Sequence, residues 1–183
     1  MAILILGPSK WRRGYRPSLP EWVGEYLPER ERPPRGRVLS PLGVRRALVS
    51  LLERAGCDAT LMELHQRRPG ETYTGLFHRL VRELPVDRFL LYWPYGSQRP
   101  GLDVELGFLL TRLEDGVSLD VRVLVEAGAK AAGKIGGGDF VSLEPGRRTH
   151  YYEDLIEYRC SVVEWENYPA LCNAILRHGK VDP

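Results

Sequence analysis

The chain has 183 residues, of which 43% are hydrophobic and 27% charged, and its formal net charge is +2. These values are typical of one globular domain that buries its own core. A charge this close to zero gives no reason to expect nucleic acid as a partner. The three cysteines, Cys57, Cys160 and Cys172, show neither zinc-ligand spacing nor the even count of a disulfide framework. We therefore expect reduced thiols, no metal ion and a cytoplasmic location.

Apolar runs and their boundaries predict strands that alternate with helices. Ala2–Leu6 is an apolar run closed by Gly7 and Pro8, which predicts a buried strand and is too short for a signal peptide or a membrane span. Ser40 followed by Pro41 predicts a helix start, with serine as the N-cap. The predicted elements, in chain order, are strand Ala2–Leu6, helix Pro41 to about Ala55, strand Ala59–Leu64, helix Tyr73–Leu84, strand Asp87–Trp93, helix Leu102–Leu113, strand Val121–Val125, short helix Tyr151–Glu157, strand Cys160–Glu164 and helix Ala170–His178.

Three segments between these elements are predicted to be irregular. Residues 9–38 contain five prolines and dense charge, which predicts a long excursion of the kind that often forms a functional loop or lid. Tyr95–Gly101 and Ala127–Gly138 are predicted loops. The run Gly136–Gly138 neither follows a strand directly nor opens a regular helix, so it does not match the dinucleotide-binding fingerprint. We expect no cofactor.

The alternation of strands and helices predicts an α/β fold in which helices cover both faces of a parallel sheet. We expect a flavodoxin-like three-layer sandwich with five strands in the order 2-1-3-4-5. All 183 residues are assigned to one domain, with an irregular excursion at about 9–38. Ligands of such sheets lie outside the carboxyl ends of the strands, near the switch in strand order. This rule points to the loops at Gly7–Trp11, Pro94–Pro100 and Glu126–Lys130.

The helix after the third predicted strand carries the most informative residue, Glu105. Leucines at helical spacing form its apolar stripe, and Glu105 falls on or beside that stripe. An ionised carboxylate there is costly unless it is paired or solvated. Two interpretations remain open: a carboxylate at the edge of the stripe paired with an arginine, or a nucleophile or base held in a cleft. The stripe consists of Leu102, Leu106, Leu109 and Leu110.

The segment from Gly101 to Phe108, Gly-Leu-Asp-Val-Glu-Leu-Gly-Phe, resembles the helix motif of the nucleoside 2-deoxyribosyltransferase superfamily. That superfamily includes the 2′-deoxynucleoside 5′-phosphate N-hydrolases. The resemblance implies that Glu105 attacks the anomeric carbon of the sugar and forms a glycosyl-enzyme intermediate. It also implies that Asp87 corresponds to the Asp that the family carries just before the preceding strand, because Asp87 stands at the matching spacing. The similarity covers roughly Asp87–Leu110.

Two positions depart from the family pattern. Six residues before the glutamate, the transferases have an Asp that holds the sugar 5′-hydroxyl and the nucleotide hydrolases have a Ser that faces a 5′-phosphate, whereas this chain has Arg99. An arginine at a helix N-terminus would bind phosphate through charge-assisted hydrogen bonds. In the preceding helix, the family usually has an Asp near the sugar and base, whereas this chain has Arg79 beside His78. The loss of that acid leaves the protonation of the base without an assigned residue.

The loop after the first strand, from Gly7 to Arg12, is predicted to contribute to phosphate binding. The hydrolases have a Gly-Ser loop with a nearby Arg at this place, and Ser9, Lys10 and Arg12 are candidates for that role. A plain basic run on the surface is the alternative. Trp11 and Tyr95 are each equally suited to stacking on a base and to packing. The remaining predicted substrate-binding residues, all from the stretch around Glu105, are Ser97, Gly101 and Asp103.

The sequence therefore predicts an N-glycosidase or 2-deoxyribosyltransferase-like enzyme acting on a nucleoside 5′-phosphate or a related nucleotide. A homodimer or larger homo-oligomer is expected, with no membrane partner. Two alternatives remain: an NAD-cleaving enzyme of the Toll/interleukin-receptor-like type, and a non-catalytic nucleotide sensor. The base and sugar specificity and the choice between hydrolysis and transfer are left open.

Overall fold

The structure, a computed structural model, describes residues 2–11, 13, 23, 25–29, 32, 39–84, 86–94, 102–126 and 160–179. The strands are β1 (Ala2–Leu6), β2 (Asp58–Leu61), β3 (Val86–Trp93), β4 (Asp120–Glu126) and β5 (Ser161–Trp165). The helices are α1 (Pro41–Arg54), α2 (Tyr73–Glu83), α3 (Leu102–Glu114) and α4 (Tyr168–Gly179). A short 3-10 helix, Met62–Leu64, follows β2. None of these helices has the length and hydropathy needed to cross a membrane.

The five strands form one sheet in the order β2-β1-β3-β4-β5, and every neighbouring pair is parallel. The predicted flavodoxin-like α/β fold and its strand order are therefore confirmed. The central strand is β3, whose last five residues, Phe89–Trp93, are all buried. Burial on both faces explains why this segment is a continuous apolar run and not an alternating one.

Local signals in the sequence set the ends of two helices. The Ser40 side chain accepts a hydrogen bond from the Gly43 backbone N–H at 3.0 Å, which satisfies one of the free donors at the start of α1. Thr72 caps α2 in the same way through the N–H of Gly75, also at 3.0 Å. Shortly after α1, Gly56 takes φ +83°, a conformation that favours glycine and turns the chain into β2.

Helices cover both faces of the sheet and divide the core into two layers. Helices α2 and α3 pack on one face, where their buried residues meet Leu4, Leu6 and Trp93. Helices α1 and α4 pack on the other face and contact each other. The buried side chains that these helices contribute are Leu76, Phe77, Leu80, Leu106 and Leu109 on the first face, and Val44, Leu48, Leu52, Leu171 and Ile175 on the second.

One predicted strand is longer than the strand in the structure. The prediction of Ala59–Leu64 is wrong at its end, because β2 stops at Leu61 and Met62–Leu64 forms a 3-10 helix. The edge strand β2 pairs only with β1, and its last paired residue is Leu61, opposite Ile5. The other described elements begin and end within two residues of their predicted bounds.

Several predictions fall outside the described residues. These are the short helix Tyr151–Glu157, the loops Tyr95–Gly101 and Ala127–Gly138, and most of the excursion at 9–38.

Candidate functional site

The switch in strand order lies between β1 and β3, which are adjacent although β2 separates them in the chain. The helices that come next in the chain after these two strands, α1 and α3, pack on opposite faces of the sheet. Crevices at such points are the usual ligand sites of open α/β sheets. The strands end at Leu6 and Trp93, and helices α1 and α3 begin on opposite faces beyond this edge. The fold therefore defines a candidate site that both helix starts approach.

Glu105 is the fourth residue of α3, one turn from the end of the helix that opens at the carboxyl edge. Its exposed fraction is only 8%, whereas the adjacent Val104 is 51% exposed. Leu106 and Leu109 beside it are completely buried, so the carboxylate lies on the apolar side of the helix as the leucine spacing predicts. The N-terminal end of a helix favours negative charge, which offsets part of the desolvation of a carboxylate at this position.

The turn after β1 lies directly against the central strand. Gly7 has φ +149°, and a Cβ atom on it would be 2.6 Å from the Tyr92 carbonyl oxygen. No side chain fits there without displacing backbone, so the turn requires glycine. The next predicted phosphate ligands, Ser9 and Lys10, are exposed. The Trp11 indole N–H donates to the Leu39 carbonyl at 2.7 Å, which ties the residues after the turn to the start of α1.

Six predicted substrate-binding residues lie wholly or partly outside the described part of the chain. Arg12, Tyr95, Ser97, Arg99 and Gly101 lie outside the described residues. Asp103 belongs to the first turn of α3, but its side chain lies outside them as well.

Asp87 is not brought to the carboxyl edge. It is the second residue of β3, and Trp93 ends that strand six residues later. At about 3.3 Å per residue, the two ends are separated by roughly 20 Å. Asp87 therefore lies near the amino edge of the sheet, and its assignment as a ligand of the substrate that Glu105 attacks stays a prediction. Its Oδ1 is buried and has no hydrogen-bond partner among the described residues.

Arg79, at the position where the resembling family has an acid, is held by carboxylates. Its Nε and Nη2 donate to the two carboxylate oxygens of Glu71 at 2.8 and 3.0 Å, and its Nη1 lies 3.7 Å from Glu83. The hydrogen bonds from Arg79, with one from the Arg68 backbone N–H, lower the pKa of Glu71 to about 2. Glu71 therefore stays ionised at neutral pH and holds no proton to give to a leaving base.

Glu71→Gln is expected to lower the Tm at pH 7, and the deficit is expected to disappear as the pH falls from about 4.5 to about 2. The ordinary pKa of the carboxyl is 4.5, and Arg79 lowers it to about 2 in the folded protein. A carboxyl whose pKa is lowered in the folded protein stabilises the fold at pH values above its ordinary pKa. This stabilisation is lost as the pH falls through the lowered pKa. Thermal unfolding from pH 2 to 7 checks this, with Glu114→Gln as an exposed control. A deficit that does not change with pH would contradict it.

An aromatic contact joins α2 to α3 close to Glu105. The His78 ring stacks on the Phe108 ring with centroids 4.2 Å apart and an interplanar angle of 26°. Phe77 meets the same Phe108 ring edge-on at 5.5 Å. Phe108 follows Glu105 by three residues, so it lies on the same side of α3 one turn further along. The packing of these rings fixes the helix that carries the carboxylate.

Arg45 and Glu63 form an ion pair at the carboxyl edge that the sequence did not reveal, in which the guanidinium is buried and the Glu63 side chain is 18% exposed. Arg45 Nη1 donates to Glu63 Oε2 at 3.1 Å, and Nη2 donates to Oε1. Arg45 is 1% exposed, and in the part of the chain that the structure describes only Arg45 and Glu105 are buried charged residues. The sequence does contain a pattern that could have indicated this burial. Arg45 lies among Val44, Leu48 and Leu52 on the buried side of α1, as Glu105 lies among leucines on the buried side of α3.

A cavity of about 470 Å³ lies away from this edge. It is lined by Tyr26 and Leu27 together with Ser50 and Arg54 from the second half of α1. The Arg54 guanidinium sits over the Tyr26 ring at 5.1 Å, so the cavity borders a packing contact. Its position on the outer side of α1 separates it from Glu105.

Within the described ranges, no three His, Cys, Asp or Glu side chains are placed to hold a metal ion together. A comparison with known proteins finds no matching family model, no similar curated protein and no similar solved structure.

Proposed function

We propose that this chain is an N-glycosidase or 2-deoxyribosyltransferase-like enzyme that cleaves the N-glycosidic bond of a nucleoside 5′-phosphate or related nucleotide. The observation that carries the proposal is the buried carboxylate of Glu105, 8% exposed, one turn into the helix that follows the central strand. Buried ionisable groups at the ligand edge of an α/β sheet are frequently functional. The resemblance of Gly101–Phe108 to the nucleoside 2-deoxyribosyltransferase motif names the chemistry.

Glu105 acts as the nucleophile in this proposal. Its carboxylate oxygen forms a bond to the anomeric carbon while the bond from that carbon to the base nitrogen breaks. The transition state has oxocarbenium character, which a nearby carboxylate stabilises. A water-poor position strengthens this attraction, because the charges interact through a lower dielectric. Water, or a second base, then attacks the glycosyl-enzyme and releases Glu105.

The phosphate is assigned to Arg99, with Ser9, Lys10 or Arg12 from the loop after β1. We expect a nucleoside 5′-monophosphate to bind about tenfold to several-hundredfold more tightly than the matching nucleoside. A charge-assisted hydrogen bond contributes roughly 1.5–3 kcal/mol and a helix N-terminus roughly 0.3–1 kcal/mol. Calorimetry with the matched pair measures this preference. Equal affinities, or an Arg99→Ala variant that binds the monophosphate as well as the parent, would reject the assignment.

A second candidate is a nucleotide sensor without catalysis. It is favoured by Arg79, whose guanidinium is engaged by Glu71 at the position where the resembling family has an acid. A leaving base is hard to expel without a proton, so the absence of an acid at this position suits binding better than turnover. The sensor would use the same crevice at the ends of β1 and β3.

A panel of nucleotides, incubated with the protein and assayed for free base by chromatography, tests the proposal. Base release from one or more nucleoside 5′-phosphates is the expected result. Release of nicotinamide from NAD alone would favour the NAD-cleaving alternative, and tight binding without any release would favour the sensor. The proposal also includes a cytoplasmic location and a homodimer or larger homo-oligomer. Light scattering after gel filtration measures the oligomeric state.

A further inference from the structure

The side chain of Arg45 passes directly beneath the turn after β1. Arg45 is the fifth residue of α1, and its Cδ would be 3.1 Å from a Cβ built on Gly7. The same Cβ would be 2.6 Å from the Tyr92 carbonyl oxygen of β3. The arginine, the turn and the central strand therefore meet at the switch in strand order. Because Nε is bonded to Cδ, the start of the guanidinium also lies beside the turn.

One N–H group of the Arg45 guanidinium, that of Nε, has no hydrogen-bond acceptor among the described residues. Its two terminal nitrogens donate to the carboxylate of Glu63. Its Nε is buried and has no hydrogen-bond partner among the residues that the structure describes. A buried charged donor without an acceptor is unfavourable, and an oxyanion is the acceptor that suits a guanidinium N–H best.

Arg45 and Glu105 approach this edge from the two faces of the sheet. Arg45 belongs to α1 on one face, and Glu105 belongs to α3 on the other. The carboxyl ends of β1 and β3 lie between the two helices. A ligand that crosses these ends extends from a buried positive charge to a buried negative one. A sugar phosphate has this shape, with an anomeric carbon at one end and a dianion at the other.

We propose that Arg45 is a further anion-binding residue of the carboxyl-edge crevice and binds, together with Arg99 and the loop after β1, the phosphate monoester of the substrate that Glu105 attacks. This inference deepens the proposed function and rests on it for the identity of the substrate, although the binding of phosphate to Arg45 can be measured by itself. Glu63 is then a positioning residue, because its carboxylate fixes the guanidinium. The same carboxylate also repels the incoming anion and so limits its affinity.

A purely structural ion pair gives different results from a phosphate site when the two partners are changed separately. If the pair only joins α1 to the end of β2, both Arg45→Met and Glu63→Gln lower the Tm, and neither alters anion binding. If Arg45 binds phosphate, the two changes act in opposite directions. Arg45→Met removes the donor, whereas Glu63→Gln removes the competing charge and leaves the guanidinium in place.

Isothermal titration of the full-length protein with inorganic phosphate, at constant ionic strength, makes this test. We expect Glu63→Gln to tighten phosphate binding roughly three- to tenfold and Arg45→Met to weaken it roughly tenfold or more. The double variant Arg45→Met/Glu63→Gln removes both charges of the pair and keeps the fold testable if Arg45→Met alone does not fold. Its phosphate affinity should be at least roughly tenfold lower than that of the parent protein. Arg122→Met is the matched control, because Arg122 also pairs with a carboxylate, that of Asp120 at 2.7 Å, but near the start of β4.

Absence of phosphate binding by the unmodified protein overturns the proposal. Unchanged binding in Glu63→Gln, undiminished binding in the double variant, or an equal loss in Arg122→Met overturns it as well. The outcome is separable from that of the proposed function. Phosphate binding through Arg45 without base release from any nucleotide supports the Arg45 phosphate subsite and rejects the glycosidase. Base release from a nucleotide, with normal phosphate binding in the Arg45 variants, supports the glycosidase and rejects the subsite.

Discussion

Glu105→Ala is expected to lower the rate of base release by at least about a thousandfold while the protein keeps its fold. Without the carboxylate, no glycosyl-enzyme can form, and the oxocarbenium charge loses its nearest negative partner. Removal of a nucleophile typically costs more than about 4 kcal/mol of transition-state stabilisation. The fold should persist, because the substitution removes a carboxylate from the apolar side of α3 and shortens a side chain beside Leu106 and Leu109.

Steady-state kinetics and circular dichroism on the same preparations check this expectation. Glu105→Gln keeps the shape and removes the charge, so it should be as inactive as the alanine variant. Glu114→Gln is the matched control, since Glu114 ends the same helix and is exposed, and its turnover should be unchanged. A Glu105→Ala protein with undiminished turnover would exclude Glu105 as the nucleophile and leave the glycosidase without its central residue.

Gly7→Ala is expected to destabilise the fold by about 2–4 kcal/mol, which corresponds to a fall in Tm of roughly 5–15 °C for a chain of this size. Two effects add. The φ of +149° is rarely adopted by residues with a side chain, and the new Cβ would be only 2.6 Å from the Tyr92 carbonyl oxygen. The obstacle is backbone of the central strand, which cannot move aside without disturbing its pairing with β1.

Thermal and urea unfolding of matched glycine variants measure this effect. Gly107→Ala is the control, because Gly107 lies inside α3 and a Cβ there meets nothing within 4 Å. Alanine within a helix is favoured over glycine by roughly 0.5–1 kcal/mol, so this variant should be slightly more stable than the parent. Equal stability of Gly7→Ala and the parent would mean that the turn after β1 is not held against Tyr92 in solution.

Much of the fold could be predicted because its signals are local. The apolar run Ala2–Leu6 became β1 with the predicted bounds, and Ser40 caps α1 through the N–H of Gly43. The alternation of strands and helices was enough to predict the parallel sheet and its order. The error at the end of β2 arose where no local signal exists. Met62 and Leu64 alternate with a charged residue as in a strand, and only the pairing with β1, which ends at Leu61 opposite Ile5, shows where the strand stops.

The candidate site was predictable only where one element carries the information. Glu105 stands among leucines at helical spacing, so its burial followed from α3 alone. Asp87 matched a spacing along the chain, but a spacing does not state at which edge of the sheet a residue ends. Asp87 lies near the start of β3, most of the length of that strand away from the carboxyl edge.

The sequence by itself determined which segments are strands and helices, which side of each helix is buried, and that a carboxylate lies on the apolar side of α3. Only the tertiary structure decided which charged side chains form an ion pair. Arg45 and Glu63 are separated by 18 residues, and they pair because α1 returns across β1 to the end of β2. The requirement for glycine at position 7 likewise comes from a carbonyl 85 residues away. Contacts of this kind depend on the register of the strands and on how side chains from distant segments pack together, and local propensity specifies neither.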